Sequence, residues 1–490
     1  MRPGIVPAAL DGARYSGGMN HRETPADAAD PAAPGLDGLT ALQLRDALAA
    51  GQVSAVAVTR HFLAVAERRN PELGAFITLY PEAALQRAED LDQRFADVGA
   101  TGSLHGLPLA FKDLVDVAGM RTSFGSRVTA QAPEATEDDP LAAALHVAGA
   151  LSTGKTTVPE FGLPCHSENL ISAPARNPLD PERTAGGSTG GGAAAVAAGM
   201  LPFAPGSDGG GSVRIPAAAC GLVGLKPGRG TVPTDQQDDS VRNLTVSGPL
   251  ARNAADAALL YDAMLGGPGG EGRSLPRAIE AAPGQLRIGY STASPFSPDL
   301  DITLARPAVD ALTAAAAALG RDGHEVVEAD LSYAPGYHRD FRTVWTSALT
   351  RVPLPDGAEP LLGPLSAHFL ELARGYSEDH LATSVGRLTD WAADARRQLA
   401  AHDVVLTPVL AFAPPAIGTF TALPPAEDYE LQCRFTPYTS MVNVMGLPAI
   451  SVPVLRDADG FSWSVQAIGR PGTEGPLLAL AARMEQLLAD

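Results

Sequence analysis

Of the 36 basic side chains in this 490-residue chain only three are lysine, Lys112, Lys155 and Lys226. The stretch they bracket also holds the two most glycine-dense segments, AGGSTGGG at 185–192 and SDGGGSVRIPA at 207–217, each with a central serine. A desolvated lysine can shed its proton, which an arginine effectively cannot. A lysine retained in an arginine-rich chain is therefore a candidate base. Lys112 sits in LPLAFKDLVDVAG, an apolar run that buries the stem and lowers the amine's pKa from its reference of about 10.4. Ser212 follows Gly209, Gly210 and Gly211, whose N–H groups can converge with no side chain in the way. Such a nest is what an oxyanion requires. With Ser212 attacking a carbonyl whose oxygen lies in that nest, Ser188 and Lys112 supply the missing base, and serine–lysine pairs are a known solution to nucleophile activation.

Two other motifs compete for the same glycines. GALSTGKT at 149–156 matches the phosphate-loop pattern GxxxxGK[ST], but Gly149 ends an alanine-rich helix and Pro159 falls where the following helix would run. GGSTG at 186–190 matches the GxSxG elbow of α/β-hydrolases, but the preceding NPLDPERTAG is polar and proline-broken, and no histidine follows His402 to complete a triad. Lys155 and Lys226 read as structural strand-end residues. Arg214 is placed to neutralise Asp208, with a substrate carboxylate as its other partner. Cys165-His166 reads as a small buried thiol beside an unrelated histidine. The histidines and cysteines form no metal-ligand spacing, so no metal and no cofactor is expected.

These residues must be held by alternating elements. LTALQLRDALAAG is a helix ending at Gly51, Ser54 caps a second helix to about Arg69, GAFITL is a strand, and Pro81 opens a third helix that stops at Gly99. Then PLAFKDLV and ALST supply strands, DPLAAALHVAGA and GGGAAAVAAGM helices, and LPFAPGSD leads into the second glycine segment. Strands GLVGLK, QLRIGY, HEVVEA, DVVLTP, PAISVPV and SWSVQAI follow, separated by helices at 254–265, 302–319, 382–400 and 475–489. The alternation predicts an α/β fold, a mixed, mostly parallel twisted sheet covered by helices on both faces. The Gly/Pro-rich 266–284 stretch reads as a surface connection.

A net charge of −19 gives neither nucleic acid nor an anionic membrane the basic patch it needs. Three widely spaced cysteines (Cys165, Cys220, Cys433) fit a reducing compartment. No stretch is long and apolar enough to cross a bilayer, and the N-terminus lacks a signal-peptide core. The expectation is a cytoplasmic enzyme with a disordered tail over 1–36 and Met19 as its true start; the chain is compatible with a homodimer without requiring one.

LPLAFKDLVDVAG, GKTTVPEFG at 154–162, the AGGSTGGGAAAVAAG block and GSDGGGSVRIPAAACGLVGLKPGRG at 206–230 together resemble the amidase signature family. The resemblance spans about 40–489 and implies one large α/β domain over 37–490. Its parts are an N-terminal helical part (37–100), a signature core (101–265), a variable specificity part (266–445) and C-terminal strands and helix (446–490). It also implies a triad of Lys112, a cis-serine Ser188 and the nucleophile Ser212, with Gly209, Gly210 and Gly211 as oxyanion hole. Two departures from the family pattern stand out: Thr189 replaces the usual serine, and Gly209 replaces a usually larger residue. Implied activity is hydrolysis of a small carboxamide to carboxylate plus ammonia or amine. Trp345, Tyr438 and Asn443 are the candidates for lining the substrate pocket. The layout is similar to general bacterial amidases and to hydrolases of cyclic 6-aminohexanoate dimer. The glutaminase subunit of a tRNA-dependent amidotransferase shares the signature and is the alternative.

Overall fold

A computed structural model of the chain describes residues 35–234, 240–266, 275–281 and 283–488. The expected start at Met19, the tail up to residue 34, and residues 267–274 and 282 of the 266–284 connection lie outside those residues. Leu36, assigned to the tail, is buried.

The strands are β1 Phe76–Leu79, β2 Pro108–Lys112, β3 Leu151–Thr156, β4 Arg176–Asn177, β5 Asp180–Thr184, β6 Phe203–Asp208, β7 Val223–Lys226, β8 Val246–Ala251, β9 Arg287–Tyr290, β10 Glu325–Glu328, β11 Val404–Pro408, β12 Ala449–Arg456 and β13 Ser462–Ile468. Eight of them form one mixed sheet in the order β10-β9-β11-β13-β12-β7-β8-β6. It is an α/β fold with helices against the sheet, but the expected dominance of parallel pairing is corrected. Only β10–β9 and β9–β11 pair in parallel; the remaining neighbours run antiparallel. The reason is visible at β12–β13, where residues 457–461 are too few for the crossover that a parallel pair needs. β2 pairs in parallel with β3 in a smaller sheet and also lies against β6. That contact joins the small sheet to the edge of the large one.

Helices Ala254–Met264, Arg306–Arg321 and Glu474–Leu487 pack on the sheet and on one another, while the short helices Gly190–Ala197 and Arg214–Cys220 form a second packed pair. The cap anticipated from sequence is present at Ser54, which accepts from the Ala57 N–H, and Thr40 makes a capping box with Gln43 at the start of the first helix. Two boundaries differ. The second helix continues through Pro71, which gives up one i→i−4 hydrogen bond, to Leu73 and stops at left-handed Gly74. The helix expected from residue 302 begins at Arg306, with Pro307 in its first turn. Gly190–Ala197 is buried along its length. A Cβ on Gly191 would lie 2.3 Å from the Thr157 backbone nitrogen, so only glycine lets this helix reach the end of β3.

Candidate active site

Lys112 is the last residue of β2 and 1% exposed. Because β2 lies against β6, its amine arrives beside Ser207 and donates to the Ser207 carbonyl (3.1 Å) and Oγ (3.0 Å), and to Ser188 Oγ at 2.8 Å. Burial pushes the Lys112 pKa down to about 7, with the Asp208 carboxylate opposing only part of that fall. The amine is therefore half neutral near pH 7. Ser188 precedes the helix Gly190–Ala197, and the peptide joining it to Gly187 is cis. Ser207, in direct contact with the amine, was not singled out in the sequence, although it opens the very segment that was.

Ser212 lies between β6 and the helix Arg214–Cys220, and its carbonyl accepts from the Thr189 N–H at 3.2 Å, which fixes the two serine-bearing loops side by side. Its position depends on Asp208. Guanidinium and carboxylate form a closed network there: Arg214 Nε and Nη2 donate to the two Asp208 oxygens at 2.9 and 2.8 Å, and both side chains are fully buried. Burial alone would raise the Asp208 pKa, but Arg214, Lys226 and the Asn443 amide hold it well below the carboxylate range. The same carboxylate accepts from the Gly211 N–H at 2.7 Å. One of the three N–H groups expected in the nest, that of Gly211, is thus engaged by Asp208. Gly211 itself has φ 129° and a Cβ there would meet Thr439 Oγ1 at 2.4 Å, so no other residue fits. The unusual Gly209 also has a spatial reason. A Cβ at Gly209 would lie 3.2 Å from Trp345 Cζ3, so the indole occupies the room of the absent side chain.

A cavity of about 50 Å3 opens at Ser212 and Gly210 and is walled by Leu163, Ile215, Phe296, Phe341 and Trp345. Phe341 stacks on Trp345 with ring centroids 5.7 Å apart. Of the three pocket candidates, Trp345 lines this cavity, whereas Tyr438 and Asn443 do not. Tyr438 is buried with its hydroxyl donating to the Thr292 carbonyl (2.9 Å). Asn443 donates to the Asp208 carbonyl at 2.8 Å and accepts from Arg214 at 2.6 Å. Both brace the site from behind. Cys165 and Cys433 line the cavity as protonated thiols, Cys433 with its pKa pushed up by burial to about 12. Lys155 donates to the Val115 carbonyl (2.5 Å) and Thr122 Oγ1 (2.8 Å) from within a β-strand, so the phosphate-loop match is not a loop at all. Lys226 donates to the Pro227 carbonyl. A short strand, β5, does precede Ser188, contrary to expectation, but it belongs to a separate two-stranded hairpin, and Ser188 Oγ meets Lys112.

The family model for amidases matches residues 57–478. The chain belongs to the amidase family. AmiB2 of Mycobacterium tuberculosis (strain ATCC 25618 / H37Rv), an amidase by assignment, is 37% identical over 444 residues, covering 89% of this amidase and 94% of the relative. Among solved structures, 6-aminohexanoate cyclic dimer hydrolase in complex with its substrate superposes with a TM-score of 0.82 at 29% identity, over 92% of this chain and 97% of the other. A bacterial aryl acylamidase shares the fold with a TM-score of 0.79 at 21% identity, covering 92% and 96% of the two chains. This amidase is thus a hydrolase of amide bonds. Among the described residues no helix is long and apolar enough to cross a membrane.

Proposed function

We propose that this amidase cleaves a small carboxamide through an acyl-enzyme on Ser212, with Ser188 as proton relay and Lys112 as base. The observation that carries the reading is the 2.8 Å contact between Ser188 Oγ and a buried Lys112 amine whose pKa burial has brought to about 7. With the amine neutral, its lone pair accepts from the Ser188 hydroxyl, and Ser188 takes the proton from Ser212 as the Ser212 oxygen bonds to the amide carbon. Gly209 and Gly210 N–H groups stabilise the oxyanion, each such donor being worth about 3 kcal/mol in other acyl-transfer enzymes. The proton returns along the same route to the nitrogen as the C–N bond breaks, releasing ammonia or an amine. Water then attacks the ester, loses its proton to the relay, and frees the carboxylic acid and Ser212.

The test is hydrolysis of aliphatic, aryl and cyclic amides and of glutamine by wild type, Lys112→Ala and Ser212→Ala. Turnover should fall by about 10⁴-fold or more in Ser212→Ala and by at least about 10²-fold in Lys112→Ala. Turnover that survives Ser212→Ala rejects the nucleophile. Glutamine as the sole substrate would favour a partner-dependent ammonia supplier over a free-standing amidase.

A further inference from the structure

A second cavity adjoins the one at Ser212, and its wall carries carboxyl groups with no cation among the lining residues. It has a volume of about 190 Å3, and Glu160, Glu168 and Asp428 all face it. Pro164 lines both cavities. The helix Pro425–Phe435 contributes to both walls, Asp428 to this cavity and Gln432 to the one at Ser212. Gln432 donates to Asp428 Oδ1 at 2.7 Å and accepts from the Cys165 N–H at 2.9 Å, so a single side chain links the two walls.

The three carboxyl groups are not equally satisfied. Glu160 accepts from Ser126 Oγ (2.6 Å) and from the Gly363 N–H (2.8 Å) and is fully engaged. Glu168 accepts from the Gly418 N–H through Oε2, but its Oε1 is buried without a hydrogen-bond partner on a side chain only 9% exposed. His166 is 2% exposed, and neither of its ring nitrogens has a partner. Its Nδ1 stands 3.5 Å from Glu168 Oε1, beyond good hydrogen-bond length. Burial holds the imidazole neutral, with a pKa near 3, so it can accept a proton-bearing donor. Arg176 is the cation that acts on Glu168, and it donates to the Pro181 carbonyl at 2.6 Å. Burial raises the pKa of both Glu168 and Asp428, and the hydrogen bonds from Gly418 and Thr421 to Glu168 and from Gln432 to Asp428, with the Arg176 charge, oppose only part of that rise.

Buried unpaired acceptors cost free energy until a donor reaches them. The donor that fits carries several N–H groups and a positive charge, because an anion would be repelled and a neutral hydroxyl would leave the carboxylates uncompensated. Among the described residues no group of three or more His, Cys, Asp or Glu side chains is placed to hold a metal ion. Leu170, Leu365 and Leu423 complete the wall and suit an aliphatic stem.

We propose that this cavity binds the protonated amino end of the substrate, so that the enzyme selects amides carrying an alkylammonium group a few bonds from the scissile carbonyl. The inference rests on the amide-hydrolase reading of Ser212, and two measurements separate them. Calorimetric titration of Ser212→Ala with hexylamine reads the cavity without turnover. Binding is expected, weakened about tenfold or more when Glu168→Gln or Asp428→Asn is added, the loss of one charge-assisted hydrogen bond. Turnover of ω-amino amides against methyl-terminated amides of equal chain length reads the substrate. Wild type should favour the ω-amino series by about tenfold or more in kcat/KM, and Glu168→Gln should lower that series about tenfold more than the methyl-terminated one. Should Glu168→Gln fail to fold, Asp428→Asn decides. Hexylamine that does not bind, or binds equally to both variants, overturns the site. Hexylamine that binds while the enzyme shows no ω-amino preference overturns the assignment to substrate and makes a free amine the occupant. Activity surviving in Ser212→Ala would reject the nucleophile and leave the hexylamine titration standing.

Discussion

Lys112 shows how one burial serves both chemistry and stability. Between about pH 7 and its ordinary 10.5, the folded enzyme carries this amine neutral while the unfolded chain carries it charged. The unfolded state then binds more protons, so this contribution to stability is complete above pH 10.5 and is lost as pH falls to about 7. Lys226, also depressed to about 7 by burial, adds a slope of the same sign. Urea unfolding across this range should therefore show a smaller rise of stability with pH in Lys112→Met than in wild type; equal slopes would mean that the amine is not desolvated. Activity should follow the same group, with kcat/KM falling tenfold per pH unit below about pH 7 as Lys112 gains its proton. A profile flat from pH 7 to pH 5 would remove Lys112 as base. The Asp208–Arg214 pair obeys a different rule. Asp208→Asn leaves a buried guanidinium uncompensated and should cost about 3–5 kcal/mol in chemical denaturation, whereas pairing it with Arg214→Met should restore most of that stability and none of the activity. These residue types and their clustering were legible in the chain. The engagement of Gly211 by Asp208 was not, because it depends on where a carboxylate held by Arg214 and Asn443 comes to rest.

At the scale of elements, the helix Tyr337–Ser347 shapes the cavity at Ser212, since Phe341 and Trp345 line it. No strong helix-start signal marked it: Gly336 is its N-cap and makes no side-chain cap bond. Trp345 was nevertheless found as an aromatic in the variable part, and its packing on Gly209 joins that part to the signature core. Trp345→Ala should enlarge the cavity, raising kcat/KM for aryl amides relative to small aliphatic amides by about tenfold. An unchanged ratio in a substrate panel would place the indole outside the specificity wall. β8, the helix Pro364–Arg374 and the helix Pro425–Phe435 were also absent from the sequence reading. Each is proline-bearing or glycine-bearing, and local propensity there argues for turns while tertiary packing imposes regular structure.

Across the whole molecule, the large sheet draws β6, β7 and β8 from the signature core, β9, β10 and β11 from the variable part, and β12 and β13 from the C-terminal part. The described residues from Gly35 onward cluster as one compact unit. A sheet shared in this way cannot lose one part without breaking the hydrogen-bond ladder of the next. Unfolding followed by fluorescence of Trp345, Trp391 and Trp463 should coincide with loss of helical circular dichroism in one transition. Two separated transitions would show that the variable part folds by itself.

The sequence by itself determined the family and the alternation of strands and helices, and it singled out Lys112, Ser188 and Ser212 as candidates, because these rest on residue chemistry and on motifs contiguous along the chain. Only the tertiary structure decided the predominance of antiparallel pairing in the large sheet, the commitment of the Gly211 hydrogen and the withdrawal of Tyr438 and Asn443 from the pocket wall. It alone brought Glu160, Glu168 and Asp428 around one cavity. Those outcomes depend on contacts between segments far apart in the chain, such as Asp428 meeting the cavity of Glu160 and Glu168, and no local pattern encodes which distant backbone will claim a given hydrogen-bond donor.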